Sequence, residues 1–107
     1  LNKYVSEYFD AENIDTLAWP GACGPISRAV NPRVVEYVDR GLDISFRLHG
    51  SFGMAIAGHH DCAGNPVDKT QQCIEVTQIV ERFRESYDKE MVIGLWVNDQ
   101  WEVERIC

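Results

Sequence analysis

Apolar side chains at Leu1, Tyr4, Val5, Tyr8 and Phe9 open the chain. Their i, i+3, i+4 spacing predicts an amphipathic helix over about residues 1–10. The run Ile14-Asp15-Thr16-Leu17-Ala18-Trp19 reads as a short strand stopped by Pro20-Gly21, and residues 21–25 read as a turn. Asn31-Pro32 has the form of a helix start, a capping side chain followed by proline at the first helical position. Val34, Val38, Leu42, Phe46 and His49 then share one face, and Gly50 is placed to close the helix. Residues 52–57 are apolar without alternation, which predicts a strand covered on both faces, as at the centre of a parallel sheet. Asp68-Lys69-Thr70-Gln71 resembles a capping box. The helix it starts runs to about residue 87, with Cys73, Val76, Val80, Phe83 and Tyr87 as its buried stripe. Residues 91–97 form a second continuous apolar strand. Asn98-Asp99-Gln100 is a tight turn, and residues 101–106 alternate as a half-exposed partner strand.

The predicted order is therefore α-β-α-β-α-β-β. Alternation of this kind points to one α/β domain over residues 1–107, with a mainly parallel sheet, helices on both faces and an antiparallel edge strand.

Composition narrows the function. The 107 residues are 45% hydrophobic and 25% charged, an ordinary composition for one small domain with a real core. A net charge of −7 argues against nucleic acid and against anionic membrane surfaces as partners. No apolar run approaches the ~20 residues that span a bilayer, and no basic segment followed by an apolar one opens the chain. The cysteines at 23, 62, 73 and 107 are widely spaced, which predicts reduced thiols in a cytoplasmic protein rather than a disulfide scaffold.

The chemistry gathers in Ala57-Gly58-His59-His60-Asp61-Cys62-Ala63-Gly64-Asn65-Pro66, read as the turn at the carboxyl end of a strand. That end of an α/β sheet is where ligands bind. His59, His60 and Cys62 bring imidazole and thiolate, the ligand types that suit zinc. Gly58 and Gly64 are expected to leave the space around them open. Two other readings use the same residues. Cys62, placed just before a helix, could be a thiol nucleophile with His59 as its base. A non-catalytic protein could instead bind a metal, an anion or a partner chain, the glycine turns and helix N-termini holding bicarbonate or phosphate without any metal. His49 and Cys73 read as a cap and a core residue, and Cys107 as exposed.

The pattern Gly58-His59-x-x-Cys62-x-Gly64 resembles the second half of the zinc site of β-class carbonic anhydrases. The longer run from Gly58 to Val67 resembles a small branch of carbonic-anhydrase-like proteins. The resemblance implies that family's fold, with Zn2+ as cofactor and His59 and Cys62 as ligands. His60 and Asp61 would be the variable positions between them. It further implies a lyase acting on carbon dioxide and bicarbonate, in a homo-oligomer such as a homodimer. The family takes its third protein ligand from a C-x-D-x-R segment at the end of a first strand, and its Asp/Arg pair from the same place. This sequence contains no such segment, so that strand is expected upstream, and the zinc site is expected to be incomplete in this chain alone. Cys23 is the one substitute ligand available. Otherwise Gly21, Ala22 and Cys23 would line the pocket together with Gly58, His60, Asp61 and Gly64, because the family carries a glycine-rich turn near there.

Overall fold

The computed structural model describes residues 1–28 and 31–107. Three helices come first: α1 (Asn2–Phe9), α2 (Cys23–Arg28) and α3 (Pro32–Asp43), the last continuing as a π-helical turn over Ile44–Leu48. Then follow β1 (Met54–His59), α4 (Lys69–Arg84), a short 3-10 turn (Lys89–Met91), β2 (Val92–Val97) and β3 (Val103–Arg105). The strands form one sheet in the order β1-β2-β3. β1 and β2 are parallel, with Met54 opposite Val92 and His59 opposite Val97, while β3 is antiparallel to β2. A parallel pair requires a crossover, and α4 supplies it.

The caps explain where the long helices begin. The Asn31 side chain accepts from the Arg33 N–H at 3.1 Å, and Asp68 Oδ1 accepts from the Gln71 N–H at 2.8 Å. Every residue of β2 is buried. Gly94 sits under α4: a Cβ there would lie 2.9 Å from Val76 Cγ1 and 2.7 Å from Cys107 Sγ, so the bare backbone is what lets the helix seat. Val76, Ile79 and Val80 from α4 pack with Val34, Ile26, Met54 and Val92 into the core. Ile93, Leu95 and Val97 alternate with the α4-facing positions and are buried as well, so the opposite face of β2 is also covered.

The α/β class holds, with a small sheet of one parallel and one antiparallel pair. Several finer expectations change. No strand forms over residues 14–19. Leu17 fills the space left by Gly41 on α3 and Trp19 lies 6.0 Å from the Tyr37 ring, so this segment spends its apolar side chains on a helix surface. The α-helix of residues 32–49 ends at Asp43 and finishes as the π turn, with Gly50 closing it at φ +71°. His49 leaves the buried stripe altogether. It is exposed, and its Nδ1 lies 2.7 Å from Asp15 Oδ2.

β1 is displaced by two residues from its expected position, so Gly58 and His59 belong to the strand itself. It is also no central strand: among the described residues it pairs on one side only, and Ala55, Ile56 and Ala57 are half-buried. On α4, Cys73 is half-buried, whereas Gln72 and Glu75 are 2% and 1% exposed. Cys107 is half-buried against Gly94 and not exposed.

Candidate metal-binding turn

β1 delivers His59 to its carboxyl end, and the residues from His60 to Gly64 form the turn beyond it. Three contacts pin the main chain there. Gln72 Oε1 accepts from the His59 N–H at 3.2 Å, Gln72 Nε2 donates to the His59 carbonyl at 2.9 Å, and the His60 N–H donates to the Val97 carbonyl at 3.0 Å. The His60 carbonyl is then left to face the His59 ring, whose Nδ1 approaches it to 2.8 Å. A carbonyl oxygen can only accept, so Nδ1 carries the proton, and in the neutral ring Nε2 then keeps its lone pair. The His59 side chain is exposed, and among the described residues no hydrogen bond occupies Nε2.

His60 turns elsewhere. Its ring meets Trp101 edge-on at 4.9 Å, and its Nδ1 is buried without a hydrogen-bond partner. Asp61 is exposed and takes the left-handed conformation, φ +48°, at which the chain reverses. Cys62 is buried, 8% exposed, and is a free thiol, as are Cys23, Cys73 and Cys107. Helix α4 begins only at Lys69 and its N-terminus is occupied by the Asp68 carboxylate. Cys62 is therefore not held at a helix end, and the dipole effect that would favour a nucleophilic thiolate is missing at its position.

The two glycine turns do come together, but not to leave space. A Cβ on Gly64 would lie 2.6 Å from the Pro20 carbonyl carbon and 2.7 Å from the Gly21 nitrogen, so the two segments touch backbone to backbone. Gly58 has its missing side chain replaced by Gln72 Oε1 at 2.9 Å and Val76 Cγ2 at 3.3 Å. The glycines close the turn against α4 and the Pro20–Gly21 backbone, correcting the open pocket expected around Gly58 and Gly64. Ala22 packs against the core, and Cys23 begins α2 with its thiol 3.5 Å from the Ala57 carbonyl. Burial, with Glu75 and Cys62 nearby, pushes the Cys23 thiol up to about 12, so it remains protonated at neutral pH.

Four residues that the hydropathy pattern passes over build this site. Glu75 accepts from Arg28 Nη1 at 2.8 Å, from Asn65 Nδ2 at 2.6 Å and from Gln71 Nε2 at 3.4 Å. Asn65 is 5% exposed and belongs to the segment that follows Cys62. Arg28, Asn65, Gln72 and Glu75 thus tie α2, the turn and α4 into one polar cluster. The periodicity of α4 contains the signal: Gln72, Glu75, Val76 and Ile79 are spaced i, i+3, i+4, i+7, so the buried stripe continues through two polar residues.

In kind, the donors suit zinc, since an imidazole with a free Nε2 and a thiol belong to one turn. In number they fall short. Among the described residues no three His, Cys, Asp or Glu side chains gather to hold a metal ion. Nor is any helix among them long and apolar enough to cross a membrane.

Comparison with known proteins places the chain in a family. Searches of curated proteins and of solved structures gave no match. A family model described as "Putative carbonic anhydrase" matches residues 1–107, the whole chain, and this protein belongs to that family.

Proposed function

We propose that this chain carries the His59–Cys62 part of a zinc site and that, with a third protein ligand supplied from outside residues 1–107, it interconverts carbon dioxide and bicarbonate. One observation carries the reading: the His59 ring, with Nδ1 bonded to the His60 carbonyl at 2.8 Å and Nε2 free on an exposed side chain. That is the arrangement of a ligating histidine whose outer partner is already in place. Cys62, three residues on, adds the sulfur donor that zinc favours. Zinc, when bound, lowers the pKa of coordinated water to about 7 and so supplies hydroxide near neutral pH. The chain's own part is to fix the His59 tautomer, present that ring at the carboxyl end of β1 and hold Cys62 in the closed turn beyond it.

The edge of β1 that pairs with no strand among the described residues supports an outside origin for the third ligand. A strand added there in parallel would end at the same end of the sheet as His59. The reading extends to a homo-oligomer in the cytoplasm. Exposed Trp19, Tyr37 and Leu48 offer apolar surface to a second copy, and four free thiols suit a reducing compartment.

The test is carbon dioxide hydration by a form extended upstream. Activity should vanish with chelator and return with zinc. His59→Ala or Cys62→Ser should each lower kcat/KM by more than the roughly 100-fold that loss of an outer partner costs. The two-donor set favours one competing reading, a non-catalytic binder of metal, bicarbonate or a partner chain. Binding without turnover in the extended form would establish that reading instead.

A further inference from the structure

Gln72 and Glu75 are one helical turn apart on α4, both polar and both almost fully buried. An ordinary core position would take an apolar side chain, and burying a carboxylate is costly unless its oxygens are satisfied. Both residues hydrogen-bond to the turn. Gln72 grips the His59 peptide on both sides, donating to its carbonyl at 2.9 Å and accepting from its N–H at 3.2 Å. Glu75 accepts from Asn65 at 2.6 Å, and the Asn65 N–H donates to the Cys62 carbonyl at 3.2 Å. Arg28 holds the other Glu75 oxygen from α2, so the carboxylate cannot swing away from Asn65.

We infer that Gln72 and Glu75 are positioning residues for the two donors: Gln72 sets the His59 peptide, and Glu75, through Asn65, sets the segment that carries Cys62. The consequence for His59 is specific. Its Nδ1–H state depends on the His60 carbonyl facing the ring, and the preceding peptide is pinned by Gln72 on its carbonyl and by the Val97 carbonyl on its N–H, with Gln72 the side chain of the two. The inference rests on His59 and Cys62 being the ligand pair, and its test separates the two ideas.

The experiment compares wild type with Gln72→Met, Glu75→Gln and, on the exposed side of α4, Gln78→Met. Nitrogen-15 NMR reads the His59 tautomer at a pH where the ring is neutral, and mass spectrometry reads iodoacetamide labelling of Cys62. All measurements are made well below each variant's melting temperature. Gln72→Met should convert His59 from the Nδ1–H to the Nε2–H form, and Glu75→Gln should speed Cys62 labelling. Gln78→Met should do neither. If Gln72→Met does not fold, the isosteric Glu75→Gln carries the test alone. An unchanged tautomer and labelling rate in the folded variants would overturn the inference, since a merely structural cluster would move the melting temperature and leave both untouched. Titration of the extended form with Co2+ then tests the ligand pair. Affinity should fall about 10–100-fold in either variant. Absence of cobalt binding in wild type, beside an altered tautomer and labelling in the variants, would sink the ligand pair and leave the positioning intact.

Discussion

Gly21 makes the most exacting demand in the fold, and Gly21→Ala isolates it. Two penalties coincide there. The residue sits at φ +65°, where an L side chain costs about 1–2 kcal/mol. A Cβ would also land on the Gly64 carbonyl and 2.7 Å from the Asn65 nitrogen, both main chain, so neither can yield by a rotamer change. Forced separation of packed groups costs about 1–3 kcal/mol, which brings the sum to about 2–5 kcal/mol of the roughly 5–15 kcal/mol that holds a small domain together. Gly50→Ala is the internal control. Its φ is +71° but nothing lies within 4 Å of the added Cβ, so only the conformational penalty applies. Urea unfolding followed by circular dichroism measures both. Gly21→Ala should be the more destabilised by about 1–3 kcal/mol, and its Cys62 should label faster because the turn has lost its backing. Equal losses for the two variants would refute the backbone-on-backbone contact between the glycine turns.

Three further outcomes follow from single interactions. Hydrogen bonds from Ser45 and from His49 hold the Asp15 carboxyl below its ordinary range. Its contribution is therefore present above the unfolded carboxyl value and lost as pH falls through the lower folded one, so Asp15→Asn should flatten the fall in melting temperature on the acid side of about pH 4. The Cys23 thiol, pushed from 9.0 up to about 12 chiefly by burial, has the opposite sense. Above pH 9 the unfolded chain loses a proton that the folded one keeps, so stability should decline by roughly 1.4 kcal/mol per pH unit from this group, and Cys23→Ala should remove that part of the slope. Asp68→Ala should cost about 1 kcal/mol in urea unfolding through loss of the α4 cap; an unchanged midpoint would contradict the Asp68–Gln71 bond.

Periodicity and capping made the long elements legible. Asn31 and Asp68 mark helix starts because a short polar side chain there satisfies a free N–H, and both do so. The apolar run ending at Val97 is a fully buried strand, as continuous apolar runs are when both faces are covered. Residues 14–19 misled because exposed Leu17 and Trp19 look like strand residues while packing on the outside of α3, a tertiary choice that local pattern does not encode. At the turn, the sequence makes the candidate donors His59 and Cys62 visible but not what secures their backbone. Gln72 and Glu75 count as polar, yet they occupy the core because their partners are main-chain and side-chain groups from distant segments. The glycines were visible too, but their role depends on which backbone comes to lie against them. Gly21 meeting Gly64 is a contact between segments that only the fold brings together.

The central claim is the proposal that His59 and Cys62 are zinc donors completed from outside residues 1–107. It is tested most directly by the metal content of protein purified without chelator, as residues 1–107 and as a form extended upstream. The account predicts about one zinc per extended chain, lost in His59→Ala and in Cys62→Ser, and essentially none in the shorter chain, because zinc sites take three or four protein ligands. An extended form without zinc, or one whose zinc survives both substitutions, would contradict it.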